Sequence, residues 1–212
     1  MISYFSSSKV SDPRYNLSSN QIQVVMEDHE GYIWIGTNKG VNRYNPLTGR
    51  FKHYTTGDDP SKSLSNDYVN AILEGSDGNL WIGTRSGLNK FSWQDTSFTY
   101  YTKRNNMPDD NIYDIIEDKN GDIWASTDRG IVRLDMETGQ IRAYDKDDGL
   151  QGIEFNNGAS YLSYDGEIFF GGTEGFNSFY PDSMSDNEII PPVVLTKFES
   201  TNAEGTTVIN LS

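Results

Sequence analysis

Asp28-His29-Glu30-Gly31-Tyr32-Ile33-Trp34-Ile35-Gly36-Thr37-Asn38-Lys39-Gly40-Val41-Asn42-Arg43 returns three times along this 212-residue chain. The copies are Asp77-Gly78-Asn79-Leu80-Trp81-Ile82-Gly83-Thr84-Arg85-Ser86-Gly87-Leu88-Asn89-Lys90, then Asn120-Gly121-Asp122-Ile123-Trp124-Ala125-Ser126-Thr127-Asp128-Arg129-Gly130-Ile131-Val132-Arg133, and a weaker Asp165-Gly166-Glu167-Ile168-Phe169-Phe170-Gly171-Gly172-Thr173-Glu174-Gly175-Phe176-Asn177. From Gly31 to Gly78, Gly121 and Gly166 the steps are 47, 43 and 45 residues. A period of that size, carrying only short β-type segments, is the signature of propeller blades.

Each unit divides into extended pieces separated by turn chemistry. In the first, Ile22, Val24 and Met26 alternate with their neighbours, which predicts a strand over 21–27. The run 32–37 is apolar on both faces, as in a strand sandwiched between neighbouring sheets, and strands at 41–44 and 50–54 complete the blade. Unit two repeats this as 68–74, 79–84, 87–91 and 97–101, and unit three as 111–117, 122–127, 130–134 and 140–144. Unit four offers only 159–164, 167–172 and 176–180, without an outer strand. The framework positions are therefore Gly31, Trp34 and Gly40, Gly78, Trp81 and Gly87, Gly121, Trp124 and Gly130, with Phe169 as the fourth aromatic. The expected organisation is an all-β propeller of four-stranded antiparallel blades over 1–183, with repeats at about 16–54, 64–101, 108–144 and 152–180 and with 2–5 as a closing outer strand. A linker at 184–192 leads to a new segment at 193–212.

Composition bounds the function. A net charge of −14 disfavours nucleic acid and anionic surfaces as partners. The chain has no cysteine, so neither disulfides nor thiolate chemistry enters. No apolar stretch approaches the roughly 20 residues that span a bilayer, and no direct membrane contact is expected of this segment. Composition leaves open a cytosolic protein or a piece of a longer one. The stretch Asp118-Lys119-Asn120-Gly121-Asp122 carries calcium-like oxygen donors but lacks the terminal glutamate and spacing of a binding loop, and it falls where the other units have a hairpin turn. His29 and His53 occur in one unit each, one in a turn and one on an outer strand, and are expected at the solvated surface. No catalytic residue, metal ligand or cofactor is assigned. An enzyme on this scaffold would need a histidine or paired acids where the inner strands begin, and only Asp67 and Asp110 come near.

The phrases Glu27-Asp28-x-x-Gly31-x-Ile33-Trp34-Ile35-Gly36-Thr37-x-x-Gly40 and Asp77-Gly78-x-Leu80-Trp81-Ile82-Gly83-Thr84-x-x-Gly87 resemble the two-component regulator propeller repeat. The fourth unit looks like the terminal blade of such propellers. Residues 191–198 look like the opening of the Ig-like β-sandwich with the Tyr-Tyr-Tyr signature, here truncated. The resemblance implies a periplasmic sensor region of a hybrid histidine kinase of Bacteroidetes type, recognising an oligosaccharide and signalling to a kinase outside this chain. A propeller lyase and a protein-interaction scaffold are the alternatives.

Comparison of units separates framework from variable positions. The turns Asn38-Lys39, Arg85-Ser86, Asp128-Arg129 and Thr173-Glu174 vary, as do the inner-strand openings with Tyr68, Tyr113, Asn156 and Asn157. Both sets fall on one propeller face. Asn38, Lys39, Tyr68, Arg85, Tyr113, Asp128, Arg129, Asn156, Asn157 and Glu174 are thus the candidate ligand contacts, a rim of amides, rings and forked donors suited to hydroxyl groups. Four blades leave two apolar faces to cover, which predicts either a tight four-bladed ring closed by 2–5 or a homodimer of eight blades.

Overall fold

The computed structural model describes residues 4–8, 11–184, 197–202 and 205–210. Three four-stranded sheets follow one another along the chain. The first contains β1 (Ile22–Glu27), β2 (Ile33–Thr37), β3 (Gly40–Asn45) and β4 (Arg50–Tyr54). The second contains β5 (Val69–Glu74), β6 (Leu80–Thr84), β7 (Gly87–Ser92) and β8 (Ser97–Tyr101), and the third β9 (Ile112–Glu117), β10 (Ile123–Thr127), β11 (Gly130–Leu134) and β12 (Ile141–Tyr144). A three-stranded sheet of β13 (Phe155–Leu162), β14 (Ile168–Gly172) and β15 (Gly175–Phe179) is the fourth. Every sheet is an antiparallel meander, so each is one propeller blade. The helical content of the described residues is confined to three-residue 3-10 turns such as Pro13–Tyr15 and Pro60–Lys62. A separate compact unit, Asp182–Ser212, contains an antiparallel hairpin of β16 (Lys197–Asn202) and β17 (Gly205–Asn210). Residues 193–196, where the expected new segment begins, lie outside the described residues.

The second and third strands of each blade are joined by the variable two-residue turns, and glycine ends each turn for a steric reason. Gly40 has φ +94°, and a Cβ there would fall 2.3 Å from the Tyr54 carbonyl oxygen. At Gly130, φ +103°, the corresponding distance to the Tyr144 oxygen would be 2.0 Å. Neither position admits a side chain.

Blades stack by a plug and a seat. Val69 pairs with Thr84 at the start of its inner strand, and a Cβ on Gly36 of the preceding blade would lie 2.7 Å from the Val69 Cγ1. Ile112 pairs with Thr127 and sits in the same way over Gly83, at 2.8 Å from a Cβ built there. Beside each seat lies a tryptophan. Trp34 stacks on Tyr54 with ring centroids 5.6 Å apart and meets Phe91 and Trp93 of the next blade. Trp124 stacks on Tyr144 and meets Phe179 of the fourth blade at 4.8 Å. Trp34, Trp81 and Trp124 are fully buried, which makes truncation of any one of them cost about 3–5 kcal/mol.

Three expectations are corrected. Phe169 holds the tryptophan register, opposite Ser178 as Trp34 is opposite Arg43, but it is only half-buried, with no further blade packed over it among the described residues. The inner strand of the fourth blade begins at Phe155, not at 159. Phe155 pairs with Gly172 before the ladder resumes at Ser160 opposite Phe170, and Gly158 (φ +67°) lies in the intervening bulge. That bulge interrupts the alternation a strand reading depends on. Finally, Met1–Ser3 lie outside the described residues, and Tyr4 and Phe5 join no strand. The Phe5 ring packs instead on Tyr44 and Phe51 of the first blade, at 4.9 and 5.8 Å. Among the described residues nothing occupies the outer position beside β15.

Candidate functional site

The face bearing the inner-strand starts and the variable turns contains a cleft of about 410 Å³. It is lined by Asn70, Arg85, Lys103, Asp109, Asp110, Asn111, Tyr113, Asp128 and Asn157, so three consecutive blades contribute. At its centre, the Tyr113 hydroxyl donates to Asp128 Oδ1 at 2.6 Å and the Asn111 amide donates to Asp128 Oδ2 at 3.0 Å. Asn70, 6% exposed, donates to the Ile112 carbonyl at 2.7 Å and to Asn111 Oδ1 at 3.3 Å, while its own buried Oδ1 accepts no bond among the described residues. This amide thus brings an unsatisfied acceptor to the cleft lining. Arg85 lies flat on Tyr68, its guanidinium carbon 3.6 Å from the ring centroid, which holds the fork in place by stacking and spares it the entropy of a free chain.

The charges of the cleft are balanced. Lys103 Nζ is 2.6 Å from Asp109 Oδ2, and Arg129 Nε is 3.9 Å from the same oxygen. Burial pushes Asp109 up, but the bonds from Lys103 and the Asn111 amide, with the lysine charge, outweigh it and hold the carboxyl below its ordinary value. Burial, reinforced by the bond and charge of Asp128, raises the Tyr113 phenol to about 12. The phenol is therefore a fixed donor at any physiological pH.

Of the residues read from the sequence, Arg85, Tyr113, Asp128 and Asn157 meet in this cleft, and Tyr68 supports it by stacking. Arg129 adjoins it through Asp109 with a side chain 70% exposed. Asn38 and Lys39 stay on the first blade, where Asn38 donates to Gln21 Oε1 at 2.6 Å. Asn156 is exposed, and Glu174 pairs with Lys146 at 3.5 Å, so neither lines the cleft. Asn70, Lys103 and Asp109 were missed. Asn70 had a legible signal, being the one amide inside the apolar run Val69–Glu74. Asp67 and Asp110 hold loops, accepting from the Thr56 and Lys103 backbone amides at 2.6 Å each.

The calcium-like turn has a different employment. Asp118 accepts from the Asn120 and Asp122 amides and, through Oδ2, from Trp124 Nε1 at 2.8 Å, while Asp122 pairs with Arg133 at 2.6 Å. Among the described residues no group of three or more His, Cys, Asp or Glu side chains is placed to hold a metal ion. A second cleft, about 630 Å³, opens on the opposite face between the first two blades. There Arg43 already fills the space between Tyr32 and Trp93, 3.5 and 4.4 Å from their centroids. His29 borders that cleft in contact with Glu74, and His53 donates from Nε2 to the Pro13 carbonyl at 3.0 Å.

Comparison with known proteins agrees with this architecture. Residues 16–39, 63–86 and 106–129 match the two-component regulator propeller. A histidine kinase of Formosa agariphila is 38% identical over 71 residues, which is 34% of this chain and 5% of that protein. The extracellular domain assigned to the hybrid two-component system BT3049 of B. thetaiotaomicron superposes with a TM-score of 0.79 at 31% identity, covering 92% of this chain and 26% of that one. A streptogramin B lyase shares the fold alone, at 21% identity and a TM-score of 0.52 over 93% of this chain and 72% of that one. The chain thus spans about a quarter of the extracellular domain it resembles and a small part of the kinase. The matched segments each cover the inner strand, the tryptophan strand and the following turn of one blade, so the first three blades of this chain are similar to two-component regulator propeller repeats.

Proposed function

We propose that this chain is part of the ligand-binding, extracytoplasmic sensor of a two-component regulatory protein and has no chemistry of its own. In this reading the cleft of Arg85, Tyr113 and Asp128 takes an oligosaccharide, and occupancy is passed to a kinase outside the chain. The observation that carries the reading is the convergence, from three blades, of stacked arginine, fixed phenol and amides around one opening, since paired donors and acceptors on rigid strands select hydroxyl-bearing ligands. The repeat identity and the likeness to an extracellular domain support the sensor assignment and a periplasmic location. Among the described residues no helix is long and apolar enough to cross a membrane.

Calorimetric titration of neutral and acidic oligosaccharides into the purified chain, and into the complete sensor region, tests this reading. Binding that is lost in Arg85→Ala and Tyr113→Ala supports it. Saccharide turnover by the purified chain, or binding unaffected by both substitutions, overturns it.

A further inference from the structure

The turn between the first and second strands is built alike in the first three blades. The Gly31 N–H donates to the Asp28 carbonyl, Gly78 to Gly75 and Gly121 to Asp118, at 2.9, 2.8 and 3.1 Å. His29, Ser76 and Lys119 are therefore equivalent positions inside these turns. From the following blade, the last residue of the inner strand reaches back to them. Glu74 ends β5 opposite Leu80, and Glu117 ends β9 opposite Ile123. Glu117 accepts from the Ser76 N–H at 2.7 Å and from the Ser76 hydroxyl at 2.6 Å. Glu74 accepts from the His29 N–H at 2.9 Å, and its other oxygen meets His29 Nδ1. At the third seam Leu162 holds that register, opposite Ile168, and Lys119 donates to the Asp165 carbonyl instead. One bonding scheme thus employs a hydroxyl, an ammonium and an imidazole, and of these the imidazole is the group that changes charge between about pH 5 and 8.

The surroundings favour its charged form. The ring lies over the facing turn, where a Cβ built on Gly78 would be 3.9 Å from His29 Cε1. Asp28 and Glu30 stand in its own turn, Glu74 on β5 and Asp77 in the facing turn, while Arg43 pairs with Glu30 and Lys90 with Asp77 at 2.9 Å each. The Glu74 side chain is 17% exposed and that of His29 64%, so a carboxylate held in the seam faces a partner that solvent protons reach freely. The bond to Glu74, then its charge, raises the imidazole above its ordinary value. The same two turns border the cleft of about 630 Å³ between the first and second blades.

We propose that His29 and Glu74 form a proton-operated latch across the seam between the first two blades, drawn tight by an ion pair in acid surroundings and relaxed in alkaline ones, so that the adjoining cleft follows external acidity. Because the folded-state value is raised, the added stabilisation is fully present below the unfolded value and is lost as pH rises through the folded one. Ser76 makes the same pair of bonds at the next seam without a titratable group, so the scheme does not need an imidazole to hold. The latch is on the face opposite the proposed saccharide cleft and does not rest on that reading.

Proton NMR of the full chain reads the latch directly, since the chain has two histidines and loss of one signal in His29→Ser assigns the resonance. The His29 imidazole is expected to titrate above the ordinary value of about 6.5, and its midpoint is expected to fall in Glu74→Gln. Amide hydrogen exchange, corrected for the intrinsic effect of pH, gives a second readout. Protection of the His29 amide should drop as pH rises through the imidazole midpoint while that of Ser76 does not, and in His29→Ser the amide at that position should be protected alike on both sides of it. A midpoint at or below the ordinary value, a midpoint that Glu74→Gln leaves unmoved, or His29 protection that follows the Ser76 amide at every pH overturns the latch.

Discussion

The Tyr113 hydroxyl lies 2.6 Å from Asp128 Oδ1, so the inner strand of the third blade and the turn that varies from unit to unit are tied into one rigid edge of the cleft. The bond joins two positions 15 residues apart that a strand-by-strand reading treats separately. Burial, reinforced by this bond and the carboxylate charge, keeps the proton on the phenol to about 12. Absorbance titration at alkaline pH should therefore include a tyrosine component ionising near 12, above the ordinary value of about 10, and Tyr113→Phe should remove that component. Because the folded-state value is raised, the stabilisation belongs to the protonated phenol and is lost as pH rises from the unfolded value through the folded one.

Loss of Arg85 should weaken ligand binding by about 1–3 kcal/mol, because its stacked fork is ordered before the ligand arrives. Arg129→Ala should change affinity much less, its side chain being 70% exposed and held only by a long contact to Asp109. Calorimetry on the two variants checks the contrast. Equal losses would place the ligand on the outer rim instead.

Two tryptophans are tethered by a carboxylate in the preceding turn, and one is not. Asp28 Oδ2 accepts from Trp34 Nε1 at 2.7 Å and Asp118 from Trp124 at 2.8 Å, but the second blade has Gly75 there. A Cβ on Gly75 would lie 3.3 Å from Trp81 Nε1 and 3.0 Å from Asp77 Oδ1, an atom of a half-exposed side chain that can yield. Asp118→Ala should cost about 2–3 kcal/mol, since a buried indole N–H and two backbone amides lose their acceptor. Gly75→Asp should add about 1 kcal/mol by installing the missing bond. Urea unfolding of both variants measures the pair.

Asp114 sits on β9 facing β13, at the register where the earlier blades have Val24 and Ala71. Burial raises its carboxyl above the ordinary value, with bonds from Ser160 opposing. The folded state therefore favours the protonated form, and stability falls as pH rises from the unfolded value through the folded one. Asp114→Asn should raise the melting temperature at neutral pH, and the gain should fade below about pH 4. A gain independent of pH would assign the effect to hydrogen bonding alone.

Fold and blade order were legible from the chain alone because they are local and repeated: alternation marks the inner strands, Gly40, Gly87 and Gly130 mark turns that no side chain can occupy, and the three tryptophans mark the space between sheets. Unit-to-unit variation likewise pointed to Arg85, Tyr113, Asp128 and Asn157. Only the tertiary structure decided which varying residues share an opening. Stacking places the second, third and fourth blades around one cleft and leaves Asn38 and Lys39 on the first and Glu174 outside it. It also decided the employment of Asn70 and Asp118, whose partners Asn111 and Trp124 are fixed by blade stacking and by a folded turn. Exposure of Ile22 and Phe169 belongs to the same class. Each carries the residue type of its buried counterparts, and what differs is whether a neighbouring sheet is there to cover it.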